Sequence, residues 1–271
     1  MRLATWNILH GRSMSDATVD IDRFARAIAT LDADVLALQE VDRAQPRSSS
    51  VDLTAVAAEA MGATERLFVP ARIGEPARAR RAAHEHDVEA TSTGYGIALL
   101  SRYPVLRWQV LRFPPSMRLR APTEAELRRR RHGGPASPER SVRRLREEPR
   151  AAIAATIRTP FGDWTVACAH LTFLPGTNVR QLRRTMGWLR QMPGPRVLMG
   201  DLNLPPAAVS RVAGARLLAR GATFPAGHPM VQIDHVLSGD PLPRSRQIRV
   251  PRPPLSDHLP LVVEFPPDPL L

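Results

Sequence analysis

A short apolar run that ends in polar residues, RVLMGDLN at 196–203, shows the pattern on which the chain is built. The run at 196–199 is typical of a buried β-strand, and Gly200 with Asp201 marks the turn that follows it. Strand ends of this kind can hold catalytic side chains on a rigid scaffold while leaving them open to solvent. The pattern indicates a sheet with functional groups along one edge.

Four further signatures place polar residues where predicted strands end. They are TWN at 5–7, LQEVD at 38–42, QIDH at 232–235 and SDHLP at 256–260. Together the five signatures supply carboxylates, amides and histidine but no thiol. An oxygen-rich set of this kind suits a hard cation such as Mg²⁺ or Mn²⁺ better than structural zinc. Metal-assisted attack of water on a phosphoester would use all of these parts.

Strands and helices alternate along the rest of the chain. Helices are predicted at 21–31 behind a cap at Asp20 or Asp22, at 51–61 before Gly62, at 179–189 and at 207–218. The pattern predicts strands at 3–8, 35–38, 97–100, 105–111, 151–157, 164–169, 196–199, 231–237 and 261–265. This α/β order contains hairpins, so it favours mixed sheets over a Rossmann fold.

The composition describes a globular and strongly basic chain. Its 271 residues are 43% hydrophobic, and 38 arginines without any lysine stand against 26 acidic residues, a net charge of +12. That charge favours anionic partners: nucleic acid, phosphorylated metabolites or anionic membrane surfaces. The single cysteine, Cys168, excludes a disulfide framework and a cysteine-rich zinc module.

Neither a membrane span nor a secretory signal is apparent. No apolar run approaches the ~20 residues of a spanning helix, and the N-terminus enters a strand-like pattern at once. We expect a cytoplasmic monomer without stable membrane insertion.

The segment 118–150 differs from the rest of the chain. It holds 11 arginines against 5 acidic residues and few apolar ones. We predict an exposed basic insertion between two core strands, partly disordered or helical at 124–131. A second arginine-rich stretch, 71–93, is predicted to be a loop. No repeat or boundary divides the sequence, so we predict a single domain over 1–271.

The motifs, in their order, resemble the endonuclease/exonuclease/phosphatase superfamily. That superfamily includes DNase I-like nucleases, AP endonucleases, neutral sphingomyelinases and inositol polyphosphate 5-phosphatases. The resemblance covers nearly the whole chain and includes YGIALLSR at 95–102 and AHL at 169–171. Each motif alone is weak, whereas their joint order is specific. It implies a DNase I-like, four-layer α-β-β-α sandwich of two packed mixed sheets flanked by helices, in a small bacterial member.

The resemblance also implies roles for the carboxylates and amides. Glu40 is the main metal carboxylate, with Asn7 beside it and Asp257 completing the shell around Mg²⁺ or Mn²⁺. One metal or two would fit this set. Asp201 orients or deprotonates the attacking water, and Asn203 holds that water or a phosphate oxygen. Taken singly, the pair Gly200 and Asp201 favours an ordinary turn aspartate, and only the joint order of the motifs favours the catalytic role.

Further roles concern the substrate phosphate. By resemblance His258 hydrogen-bonds the phosphate, and Asp234 fixes its tautomer and keeps it cationic. His170 resembles a second active-site histidine, Arg150 a phosphate-binding arginine, and Tyr95 a tyrosine that contacts phosphate in AP endonucleases. The alternatives are a satisfied interior histidine, one arginine among 38, and a tyrosine used for packing.

The resulting expectation is a divalent-metal-dependent phosphoester hydrolase. The basic insertion ranks a phosphodiesterase or nuclease first, ahead of hydrolysis of phospholipid head groups or phosphorylated metabolites. A segment containing histidine at 169–171 disfavours an AP endonuclease, and no apolar insertion supports a sphingomyelinase. The alternative outside enzymes is an anion-binding module that retains the fold. The complete ligand set favours catalysis.

Overall fold

The computed structural model describes residues 1–75, 81–87, 92–115, 118–122 and 142–266, with the backbone alone for 118–122 and 142–146. The helices of these residues are α1 (Ile21–Leu31), α2 (Leu53–Met61), α3 (Thr177–Leu189) and α4 (Pro206–Ala213). None of the four could cross a membrane. The strands are β1 (Arg2–Asn7), β2 (Val35–Arg43), β3 (Glu65–Ile73), β4 (Arg81–Ala82), β5 (Gly94–Ser101), β6 (Val105–Phe113), β7 (Arg118–Pro122), β8 (Val142–Arg146), β9 (Arg150–Thr159), β10 (Gly162–His170), β11 (Arg196–Asp201), β12 (Arg216–Leu217), β13 (Asp234–Ser238), β14 (Arg246–Ile248) and β15 (Leu261–Glu264).

Most of the strands form two mixed sheets. The first has seven strands in the order β14-β15-β1-β2-β5-β3-β4, and the second has six in the order β12-β13-β11-β10-β9-β6. Each sheet contains one parallel pair, β1 with β2 and β10 with β11. Parallel neighbours end at the same edge of a sheet, which is where open α/β sheets place their ligands.

Three apolar layers hold the sandwich together. The inner faces of the two sheets pack on each other through residues such as Leu99 of the first sheet and Ile153 of the second. The helices α1 and α2 cover the outer face of the first sheet, and α3 and α4 cover that of the second. The central strands are therefore buried on both faces, as their continuous apolar runs require. The predicted four-layer α-β-β-α sandwich is confirmed.

The first two helices follow their sequence signals. The carboxylate of Asp20 caps α1 by accepting the Arg23 N–H at 2.8 Å, and the buried face of α1 includes Phe24 and Ile28. The helix α2 ends at Met61, and the next residue, Gly62, adopts a left-handed φ of 69°. A glycine in this conformation commonly ends a helix because it lacks a Cβ to clash.

The helix predicted over 207–218 is too long. It ends at Ala213 because Gly214 takes a left-handed φ of 62° and returns its N–H to the Ser210 carbonyl oxygen. The next residues, Arg216 and Leu217, form β12 beside β13. The strand predicted over 231–237 likewise begins later, at Asp234.

The stretch 71–93 is not entirely a loop. Residues 71–73 continue β3, and Arg81–Ala82 pair with β3 as β4. Strand β3 was not predicted because Pro70 interrupts the apolar pattern that is typical of a strand. The pairing of β3 with β5 shifts between Pro70 and Arg72, and a bulge is where a strand tolerates proline.

The basic segment 118–150 connects β6 to β9, which are neighbours in the second sheet. Residues 118–122 and 142–146 pair in an antiparallel manner as β7 and β8, and Arg150 already belongs to β9. The insertion therefore contains a two-stranded ribbon that was not predicted. The helix expected at 124–131 lies outside the described residues.

Candidate active site

The parallel strand pairs bring polar side chains together at one edge of the sandwich. Asn7 ends β1, His170 ends β10 and Asp201 ends β11, while Asp234 begins β13 directly opposite Asp201. The Asn7 Nδ2 group donates to Asp201 Oδ2 at 3.0 Å. This hydrogen bond joins the first sheet to the second, so groups from distant parts of the sequence share one site.

Asp201 lies at the centre of the cluster and is only 2% exposed. Its Oδ1 accepts the Asn203 N–H at 3.1 Å, and its Oδ2 lies 3.5 Å from His170 Nε2 and 4.0 Å from His258 Nε2. Burial, followed by the negative charge of Asp234, raises the pKa of Asp201 to about 7. A carboxylate of this kind can accept a proton near neutral pH.

Gly200 allows the two parallel strands to approach closely just before Asp201. Its φ is 143°, and a Cβ at this position would overlap the carbonyl oxygen of Ala169 on β10. Any other residue would push β11 away from β10. The glycine of the GDLN signature therefore helps to set the distance between Asp201 and His170.

Glu40 occupies a β-bulge in β2. Its φ is 56°, and the pairing of β2 with β5 shifts between Gln39 and Val41, which leaves Glu40 as the extra residue. A left-handed non-glycine residue costs about 1–3 kcal/mol and is found mainly at functional sites. The bulge re-aims the side chain. Burial raises the pKa of the Glu40 carboxyl, and the negative charge of Asp257 raises it further. A hydrogen bond from Asn7 acts in the opposite direction.

His258 is held as a cation. Its Nδ1–H donates to Asp234 Oδ2 at 2.8 Å, and its ring packs on Phe224 with 4.9 Å between ring centroids. Burial alone would lower the pKa of His258, but the hydrogen bond and charge of Asp234, with the charge of Asp201, raise it to about 9. The remaining Nε2–H lies 4.0 Å from an oxygen of Asp257 as well as from Asp201.

His170 is held neutral on the other side of the cluster. Arg150 Nη1 donates to His170 Nδ1 at 3.1 Å, so the proton of the neutral ring resides on Nε2, facing Asp201. Burial, then the positive charges of Arg150 and His258, lower the pKa of His170 well below its usual range. The Arg150 side chain is itself buried and lies 3.7 Å from a Glu148 oxygen.

The other predicted residues surround this centre. Asn203 has a left-handed φ of 50° and donates through Nδ2 to the Leu171 carbonyl oxygen at 3.0 Å. Tyr95 is buried beside Glu40, and burial raises the pKa of its phenol well above the usual value. Asp257 is partly exposed, with 29% of its side chain accessible. All ten predicted site residues lie at or beside the same edge.

The sequence analysis gave no role to three residues that support the site. Asp42, two residues after Glu40, is fully buried and accepts two hydrogen bonds from Arg47, each at 2.8 Å. Ser256 donates to the Asn7 carbonyl oxygen at 2.6 Å and accepts the His258 N–H at 3.1 Å. Asp42 and Ser256 could have been found from their positions, two residues from Glu40 and two residues from His258. A buried aspartate in a strand also needs a hydrogen-bonding partner, which points to a nearby arginine.

Two sets of side chains at the site offer donors for a cation. In the described part of the chain, ligand atoms of Asp201, Asp234 and His258 lie within 4.8 Å of one another. Asp234 and His258 already bind each other in this set, through a hydrogen bond between Oδ2 and Nδ1. The second set is Glu40 with Asn7 and Asp257. It offers oxygen donors, two of them carboxylates, and this is the ligand type that a hard cation prefers.

The chain belongs to the endonuclease/exonuclease/phosphatase family, whose family model matches residues 4–258. Similar solved structures have the same DNase I-like fold. An endonuclease/exonuclease/phosphatase from Beutenbergia cavernae is 24% identical with a TM-score of 0.61, covering 97% of this chain and 70% of its own. Sphingomyelinase C from Streptomyces griseocarneus is 16% identical with a TM-score of 0.59, and the coverage is 97% and 98%.

A third similar structure is the mannosyl-6-phosphatase of Bacteroides thetaiotaomicron. It is 15% identical with a TM-score of 0.58, and the match covers 97% of this chain and 98% of that one. A search of curated proteins finds no significant match. Members of the family hydrolyse phosphoester bonds. The three similar structures differ in the substrates that their names give, and for this chain they show the fold alone.

Proposed function

We propose that this protein is a divalent-metal-dependent phosphodiesterase. The observation that carries the proposal is the position of Asp201 between a cationic histidine and a neutral one. Its two oxygens accept hydrogen bonds from the side-chain amide of Asn7 and from the backbone N–H of Asn203. A buried carboxylate with a pKa near neutrality is suited to take a proton from water. A binding module would need no such base.

The side chains divide the work of hydrolysis. Asp201 accepts the proton of the attacking water, while Asn203 orients that water or a phosphate oxygen. His258, kept cationic by Asp234, donates from Nε2 to a phosphoryl oxygen on which charge develops. His170 donates to the same group as a neutral imidazole.

Glu40, Asn7 and Asp257 would hold the metal ion. Mg²⁺ or Mn²⁺, when bound, supplies Lewis-acid stabilisation of the phosphoryl oxygens. Arg150 adds positive charge beside His170, and Tyr95 contributes a neutral hydroxyl near Glu40. These assignments give each predicted residue a role in hydrolysis, and Asp234 exerts its role through His258.

The direct test is a substrate panel. Hydrolysis of bis(p-nitrophenyl) phosphate and of p-nitrophenyl phosphate is measured with Mg²⁺, with Mn²⁺ and with EDTA. We expect faster hydrolysis of the diester, dependence on either metal and loss of activity with EDTA. Hydrolysis that EDTA leaves unchanged, or a chain inactive on both esters with both metals, would contradict the proposal.

Metal binding by Glu40 is tested separately. Replacing Glu40 by alanine removes an anionic ligand, so the variant should need more Mg²⁺ or Mn²⁺ for half-maximal rate, and added metal should partly restore the rate. The metal dependence of kcat measures this. Full activity of the variant at low Mg²⁺ would show that Glu40 does not bind the ion.

The substrate is proposed to be nucleic acid, because the chain carries a net charge of +12 and half of it falls within 118–150. Binding to a DNA duplex should then weaken with salt, with a log–log slope of about 0.9 for each phosphate contact. A slope near zero for DNA and for RNA would count against nucleic acid.

Phospholipid head groups are the second candidate, favoured by the position of exposed apolar side chains. Phe173 is 64% exposed three residues after His170, and Met230 is 78% exposed four residues before Asp234. Exposed apolar residues are common singly, but these two lie on loops that carry the site.

The lipid candidate has a matched control within the chain. Leu106, 46% exposed, lies near the start of β6, far from the strand end that pairs with Arg150. For a lipid substrate, Phe173→Ser and Met230→Ser should reduce hydrolysis in phosphatidylcholine vesicles but spare a soluble diester, whereas Leu106→Ser should affect neither. Equal rates of all three variants on vesicles would remove this candidate.

A further inference from the structure

Arg47 is fixed in place by a carboxylate that has no other evident purpose. Its Nε and Nη2 groups donate to the two oxygens of Asp42, each at 2.8 Å, and the Ser48 hydroxyl adds a third bond to Asp42 at 3.1 Å. Asp42 is fully buried, whereas the Arg47 side chain is 33% exposed. A bidentate pair of this kind fixes the plane of the guanidinium group. Arg47 is therefore preorganised, with part of its surface open to solvent.

The fixed guanidinium group lies beside the proposed metal and phosphate site. Its central carbon is 5.5 Å from the centre of the Tyr95 ring. Burial alone would lower the pKa of Arg47, but its hydrogen bonds to Asp42 and the negative charges of Asp42 and Glu40 raise it. Glu40 is thus close enough to act on it electrostatically. The Nη1 group has no hydrogen-bond partner among the described residues.

The two arginines at the site differ in what they leave free. Arg150 is 7% exposed, and its Nη1 is engaged by His170 and lies close to Glu148. The Arg150 Nε group is buried without a hydrogen-bond partner among the described residues, so Arg47 is the arginine of the two that is open to solvent. A pair whose purpose was only to neutralise a buried charge could lie anywhere along β2. Asp42 instead lies two residues from Glu40, the extra residue of the β-bulge.

We propose that Arg47 forms a second anion subsite of the active site, which binds a further phosphate group of the substrate next to the phosphoester that is cleaved. The inference rests on the proposed function and specifies its substrate class: a phosphoester that carries a second phosphate. Asp42 is the positioning residue of this subsite, since it holds the guanidinium group without contacting the ligand.

The experiment compares ligands with one and with two phosphates. Affinities of adenosine 5′-monophosphate and adenosine 3′,5′-bisphosphate are measured by calorimetry, with Mg²⁺ in excess, for the wild type and Arg47→Gln. A hydrogen bond between charged groups accounts for about tenfold in affinity. We expect the wild type to prefer the bisphosphate and Arg47→Gln to lose about tenfold of that preference. Glucose 1-phosphate and glucose 1,6-bisphosphate, tested alike, distinguish a sugar from a nucleotide source.

Two further variants separate binding from folding. Arg47→Gln leaves the buried Asp42 unpaired, so the double variant Asp42→Asn with Arg47→Gln restores a neutral pair and should show the same lost preference. The control is Arg158→Gln, because Arg158 pairs with Asp163 at an exposed turn, with 3.3 Å between their atoms. We expect it to keep the wild-type ratio.

The outcomes distinguish this subsite from the proposed function. A wild type without preference for either bisphosphate overturns the subsite, and so does an equal loss of mono- and bisphosphate affinity in both variants. Each of these results leaves diester hydrolysis untouched. Absence of hydrolysis in the substrate panel would instead count against the proposed function, because calorimetry reads the subsite without catalysis.

Discussion

Two histidines face the same carboxylate of Asp201 and hold opposite charges. The Nδ1–H of His258, on the side of the ring away from Asp201, donates to Asp234, and the pKa of His258 rises to about 9. His170 accepts from Arg150 at its far nitrogen, and its pKa falls well below the usual range. Burial lowers the pKa of both rings and is the largest cause for His170, but in His258 the hydrogen bond and charge of Asp234 outweigh it. The group on the distal ring nitrogen decides whether a buried histidine carries charge.

The opposite charges matter for the proposed hydrolysis. A cationic imidazole stabilises developing negative charge more strongly than a neutral one, because its hydrogen bond is charge-assisted. Asp201 lies between them as the proton acceptor. We therefore expect the effects of substitution to fall in the order Asp201, then His258 with Asp234, then His170.

The largest effect is expected for Asp201→Asn. The amide is similar in size but cannot take the proton of the attacking water, so kcat should fall by about 10²–10⁴. The rate on the best diester measures this, and the melting temperature reports the fold. Asp240→Asn is the matched control, because Asp240 pairs with Arg196 at the opposite end of β11. A kcat near that of the wild type in Asp201→Asn would exclude its role as the base.

His258→Ala should lower kcat by about 10²–10³, the range found for removal of a group that stabilises developing charge. Asp234→Asn should be weaker, because the imidazole remains but loses the partner that keeps it cationic. The double variant should be no slower than His258→Ala, as expected for residues that act as one unit. Independent, additive losses would show that Asp234 does not act through His258.

His170→Gln should have a smaller effect, about tenfold in kcat/KM, because it removes a neutral hydrogen-bond donor. Its rate is compared with that of His258→Ala on the same diester. An equal loss for the two variants would show that the charge of the imidazole does not determine how much each histidine contributes to catalysis.

The smallest effect concerns stability and pH. The pKa of His258 in the folded protein, about 9, lies above the ordinary value of 6.5, so its contribution is fully present below pH 6.5 and is lost as pH rises through 9. Denaturant unfolding in EDTA at about pH 6 and about pH 9.5 should show the difference between wild type and His258→Gln shrinking with pH.

His170 supplies the control for that measurement. Its pKa is depressed, so its contribution to stability rises as pH rises through the ordinary value of 6.5 and then levels off, a pH dependence opposite in sign to that of His258. A difference for His258→Gln that stays constant with pH would contradict a raised pKa of His258.

Local sequence signals sufficed for much of the architecture. The Asp20 cap, Gly62 and the apolar runs of the central strands each act over a few residues, so their consequences can be predicted without tertiary contacts. The GDLN signature was similarly informative, because Gly200 and Asp201 both serve the end of β11. The predictions failed at β3, where Pro70 interrupts the pattern, and beyond Gly214, where helical spacing continues into a strand.

The residue types at the strand ends can be read from the sequence, and they are enough to predict an oxygen-rich site of the phosphoesterase kind. The charges of those residues and the bonds between them follow from the tertiary structure. Asn7 meets Asp201 across 194 positions of the chain, and Arg47 closes on Asp42 beside a bulge that no local pattern marks. The physical reason is that pKa values and hydrogen-bond partners depend on burial and on neighbours in space, which strand order and sheet packing set.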